Sequence, residues 1–228
     1  MQSGETAFPT RAQLWRGATL RTIVAAVWVQ EDPQSRAVRW QDATYVRDDE
    51  QGTLGAVVFA GERVAGAFFD HESERSPFAD EWRRDYDWRE LVAGIPADLL
   101  ALLEGQVLPF MVMEYRNRQT PVLTAALWGE GDRLTSNEAW ADVFANGAFI
   151  LDLEVLDPEE ALVESIRDYE FSPQQGTVVQ SLYERKIAAA GRPIEVLPDE
   201  QGVFRVGGAA AWEESRSLLA AVGIVLPN

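Results

Sequence analysis

Two apolar runs, residues 54–60 and 63–70, are separated by nothing but Gly61-Glu62. Two residues cannot carry a crossover connection, so the runs are expected to turn back on each other as an antiparallel hairpin. Upstream, Asp48-Asp49-Glu50-Gln51-Gly52 is a turn sequence, rich in side chains that bond their own backbone. It joins the hairpin to a partly alternating run at 37–46, where Val38, Trp40, Ala43 and Tyr45 have polar neighbours. The stretch 20–29 is rich in Val, Ile and Thr and reads as another strand. Four strands joined by short turns predict an antiparallel meander.

Beyond residue 75 the pattern changes. Phe78, Trp82 and Tyr86 recur at the spacing of one helix face. Leu99, Leu100, Leu102 and Leu103 predict a helix over 96–104. Residues 107–115 and 122–128 read as strands, Asn137 as the cap of a helix ended by Gly147, and 150–155 as a short strand. Asp157-Pro158-Glu159-Glu160 is a helix start, with a cap, a proline in the first turn and acids at the positive dipole end. Ser172-Pro173-Gln174-Gln175 is a capping box, and its helix is closed by Gly191. Residues 194–197 and 203–206 read as a small hairpin, and 210–222 as a last helix.

Strands first and helices later predict an α+β fold, an N-terminal antiparallel β-meander packed with a mostly helical C-terminal half. The whole of 1–228 is expected to form one compact domain. Its candidate subdomains are 1–95, mainly β, and 96–228, α+β.

Composition narrows the function. The chain has no cysteine, which excludes a disulfide scaffold, a thiol enzyme and a zinc-thiolate site. Its formal charge is −17, and phosphate binding is driven by Lys and Arg, so nucleic acid is not an expected partner. The longest apolar run, 23–29, falls far short of the roughly 18 residues of a membrane span. The first ten residues carry Glu5 and no basic segment, unlike a secretory signal. A cytoplasmic protein without a membrane partner is therefore expected. Nineteen arginines against one lysine fit the codon usage of a GC-rich bacterial genome.

No motif fixes a reaction. The one chemically suggestive loop is 70–77, where Asp70, His71, Glu72 and Glu74 follow an apolar strand. These four are the candidate catalytic residues of a carboxylate-dependent hydrolase. His71 is the sole histidine, so multi-histidine metal sites are ruled out, and no metal or cofactor is expected. No Gly-x-Ser-x-Gly elbow accompanies Ser73 or Ser76. Trp82, Tyr86 and Trp88 among Asp80, Glu81, Asp85 and Asp87 resemble the wall of a sugar site, but fit a core-facing helix better. Glu184-Arg185-Lys186 falls in a helical pattern and reads as an exposed charge group.

Charge is the stronger clue. Residues 130–170 hold twelve acids and only Arg133 and Arg167 as bases, a net −10. Such a segment attracts a basic partner and speeds its association. Glu138, Trp140, Asp142 and Phe144 at helical spacing, with Glu159 and Glu160, are the candidate binding residues. The expected function is an interaction protein that masks a basic protein, on the principle used by immunity proteins and inhibitors. The alternatives are the hydrolase at 70–74 and a ligand-binding or assembly module.

Overall fold

The computed structural model describes residues 7–32, 37–79 and 86–227. In chain order the elements are α1 (Arg11–Trp28), β1 (Val38–Gln41), β2 (Thr44–Asp48), β3 (Thr53–Ala60), β4 (Arg63–Asp70), α2 (Ala97–Leu102), β5 (Val112–Tyr115), β6 (Arg118–Pro121), β7 (Ala125–Glu130) and β8 (Arg133–Thr135). There follow α3 (Trp140–Ala145), α4 (Asp152–Val155), α5 (Pro158–Asp168), α6 (Pro173–Ala188), β9 (Ile194–Glu195), α7 (Gly208–Ala221) and β10 (Ile224–Val225). The fold is α+β, with an antiparallel sheet early in the chain and a mostly helical C-terminal half. Two compact units share it, each built from two stretches of chain. One takes Met1–Gln13 and Ala43–Asp152, the other Leu14–Asp42 and Leu153–Asn228.

The first unit is built on the antiparallel order β2-β3-β4-β7-β8. The expected hairpin is there, with Ala60 opposite Arg63 across Gly61-Glu62. The turn before it is held by Asp49, whose Oδ1 accepts from the amides of Gln51 and Thr53 at 2.8 Å each. Central β4 is buried along nearly its whole length, which explains why it reads as a continuous apolar run rather than an alternating one. On one face, Val46, Ala56, Val58, Ala65, Ala67 and Phe69 pack with the leucines of α2 and the turns after it, Leu99, Leu102, Leu103 and Leu108. Removing one buried leucine of this cluster costs about 2–5 kcal/mol.

Several sequence expectations need correction in this unit. The strand expected over 107–115 begins only at Val112, because Pro109, which has no amide hydrogen to give a strand, sits early in a 3₁₀ turn over Leu108–Met111. The strand expected over 122–128 is β7, shifted to 125–130. Asn137 does not cap α3, since its Nδ2 donates to the Glu90 carbonyl at 2.9 Å and the helix starts three residues later. Residues 150–155 are not a strand. Ala148, Ile150 and Leu151 bury in a 3₁₀ turn that runs into α4. Phe78 lies in a turn and Tyr86 outside any helix, while Trp82 lies outside the described residues.

The second unit is mainly helical. Its largest departure from expectation is α1, because 20–28 is helix and 29 the turn that follows it, not strand. Thr19 and Thr22 return their hydroxyls to the carbonyls of Trp15 and Ala18, at 2.8 and 2.6 Å, which satisfies both within the helix. Gly17 is needed there, since a Cβ would stand 2.1 Å from the Glu154 carbonyl oxygen. The C-terminal end of α1 is tied to α7. Gln30 donates to Ser215 Oγ at 2.7 Å, and Ser215 donates to the Ala26 carbonyl at 2.6 Å.

Both helix starts behave as their sequences demand. Asp157 accepts from the Glu159 amide at 2.9 Å, and the Ser172–Gln175 capping box is complete in both directions. The run 37–46 is divided into β1 and β2 by a turn at Asp42, which has φ 52°. The small C-terminal hairpin does not form. β9 pairs in parallel with β10, Ile194 opposite Ile224, and 201–204 is a 3₁₀ turn. That turn is anchored by buried Glu200, which accepts from Ser181 Oγ and the Leu197 amide and pairs with Arg185.

Candidate functional site

The loop after β4 and the α3 segment, 68 residues apart in sequence between Asp70 and Glu138, are brought together in the first unit. Asp70 is buried at the strand end. Its amide donates to Thr124 Oγ1 at 3.0 Å, and its Oδ1 accepts from the Glu72 amide at 3.0 Å. Thr124 Oγ1 donates onward to the Asn146 carbonyl at 2.6 Å, and Ser73 Oγ donates to Asn146 Oδ1 at 2.7 Å. Arg75 reaches Glu138 as an ion pair and also donates to the Thr124 carbonyl. Asp70 therefore spends its carboxylate on shaping the loop. Glu72 and Glu74 are exposed, and exposed His71 stacks on Phe78 at 5.9 Å between ring centres. Among the described residues no group of three His, Asp or Glu side chains is placed to hold a metal.

The binding candidates separate as well. Trp140 is buried, with its ring 5.6 Å from Phe8 and 5.7 Å from Phe144. Its side chain faces the core. Phe144 is half-buried and Asp142 exposed. Glu138 is already neutralised by Arg75.

In the second unit Glu159 and Glu160 stand exposed in the first turn of α5. Val163, four residues after Glu159, is 63% exposed. One base lies among the six acids of 157–170, and that base, Arg167, is taken by Glu164 and Asp168. The acidic block of the sequence is thus shared between units, with Glu130, Asp132, Glu138, Asp142 and Asp152 on the first and the other acids on the second.

Of the sugar-wall residues, 80–85 lie outside the described residues. Tyr86 is bound through its hydroxyl to both backbone groups of Leu123, at 2.8 and 2.7 Å, and Trp88 is buried. Glu184-Arg185-Lys186 is on α6, as expected, but Lys186 is not exposed. It is buried, its Nζ donates to the Arg192 carbonyl at 2.9 Å, and burial pushes its pKa below the usual lysine range.

Sequence reasoning also missed two hollows in the second unit. One, of about 280 Å³, is lined by Arg205, Gly208, Ala209 and Trp212. The other, of about 410 Å³, runs along β10 between Arg216, Ala220 and Ile224 through Pro227. Among the described residues neither lining contains a carboxylate. Among the described residues no helix is long and apolar enough to cross a membrane. Comparison with protein-family models, curated proteins and solved structures finds no match.

Proposed function

We propose that this chain is a cytoplasmic bacterial interaction protein that binds a basic protein partner in the manner of an immunity or inhibitor protein. The observation that carries this reading is the outward side of α5, where exposed Glu159 and Glu160 flank exposed Val163 and the local base, Arg167, is already occupied. An apolar contact point with acids around it combines two parts of a binding surface. The acids steer a cationic partner and the valine gives up water on docking. In this reading Val163 takes the place of buried Trp140 as the contact centre, with Glu159 and Glu160 as the steering acids. The alternative hydrolase reading at 70–74 has less support here, since Asp70 Oδ1 already accepts from the Glu72 amide.

The test is a titration of the isotopically labelled full chain with a synthetic arginine-rich peptide carrying a central leucine, followed by amide chemical shifts. Shifts should concentrate on 158–168, and the affinity should fall by about tenfold or more as salt rises from roughly 30 to 300 mM. Replacing Glu159 and Glu160 by Gln should weaken binding at least about threefold. Shifts spread evenly over the acidic surface, or an affinity indifferent to salt, would sink the proposal.

A further inference from the structure

The hollow at the start of α7 presents a cation in a chain whose formal charge is −17. Among the described residues its one charged lining residue is Arg205, whose guanidinium lies 5.0 Å from the centre of the Trp212 ring. The chain has 37 acids and 20 bases, yet no described carboxylate pairs with Arg205. Nearby Arg216, by contrast, is held by Glu213. A guanidinium held over an indole is restrained by the ring while its N–H donors stay available, so less freedom is lost when they are bonded. The floor beside it is bare. Gly208 has φ 83°, and a Cβ there would meet nothing within 4 Å. Val206, 76% exposed, adds apolar surface next to Arg205 in the chain.

We infer that this hollow binds a small organic carboxylate, with Arg205 holding the carboxylate and Trp212 and Ala209 contacting the apolar part. A planar fork matches a carboxylate in two-pronged fashion. The molecule's overall negative charge repels free anions, so one arginine needs help from apolar contact, and this disfavours inorganic phosphate. The volume lies just below the roughly 300–1,000 Å³ of drug-sized sites, which limits the occupant to a small one.

Benzoate is the probe, with neutral benzamide of the same shape and inorganic phosphate as comparisons. Each is titrated into the full chain while the indole N–H of Trp212, assigned with a Trp212→Phe variant, and the amides of 205–212 are followed. Benzoate should produce saturable shifts at these positions, with benzamide and phosphate each at least about tenfold weaker. Arg205→Gln should weaken benzoate by at least about tenfold, and Arg205→Lys should recover only part of the loss. Because Arg205 is exposed, an unchanged circular dichroism spectrum will show that the variants are folded. The inference is overturned if benzoate and benzamide titrate alike, if phosphate binds as well as benzoate, if Arg205→Gln binds like the parent, or if no saturable shift reaches 205–212.

Discussion

The segments around α3 and α5 carry similar sequences, acids interleaved with a large apolar residue, yet their side chains meet different fates. On α3 the aromatic Trp140 is buried against Phe8 and Phe144, and just before the helix the acid Glu138 is matched by Arg75. On α5 the apolar Val163 is exposed, and Glu159 and Glu160 face solvent. Counting charges treats the two as one anionic block. The structure separates a segment that uses its charge to hold a loop from one that leaves it outward.

The sharpest way to break this contrast is Trp140→Ala. If the ring is core, the variant should lose about 3–5 kcal/mol of stability in denaturant unfolding, while Val163→Ala stays within about 0.5 kcal/mol of the parent. A loss below about 1 kcal/mol at Trp140 would return it to the surface. Next comes the Arg75–Glu138 pair, tested by a double-mutant cycle of Arg75→Ala and Glu138→Ala. Both side chains are partly solvated, so the coupling should be about 0.5–1 kcal/mol, and little of it should vanish in salt compared with a fully exposed pair. Zero coupling would mean that Glu138 is as free to steer a partner as Glu159. The smallest effect belongs to Glu159→Gln with Glu160→Gln, which removes charge from the positive end of α5. This should cost a few tenths of a kcal/mol at low salt and nothing measurable near 0.5 M. A loss that persists in salt would mean these acids make contacts beyond the helix dipole.

What could be read from sequence was what local chemistry decides. The β3–β4 hairpin follows from a two-residue gap, the Asp49 turn from side chains that bond nearby amides, and the starts of α5 and α6 from their caps. What could not be read depends on distant partners. In α1 the buried residues run almost all the way around from Ala18 to Val27, so no helical stripe survives in the sequence and the β-branched content suggests a strand. β9 finds its partner in β10, beyond the whole of α7, and a parallel pair leaves no turn signal. At the candidate sites, Glu138 and the 70–77 loop each stand out in the sequence, but the Arg75 link between them does not, because nothing local joins positions 63 apart. Arg205 and Trp212 are seven residues apart in the chain and meet only once the glycines at 207 and 208 turn the chain into α7.

The burial of Lys186 has a practical meaning for chemistry done on this molecule. It is the sole side-chain primary amine, enclosed and bonded to a carbonyl, in a chain with 37 carboxyl groups. Acylating and aldehyde reagents aimed at lysine will leave the folded side chains nearly untouched, whereas carbodiimide activation will modify many positions. Covalent capture of an associating protein should therefore be designed to begin from the acids.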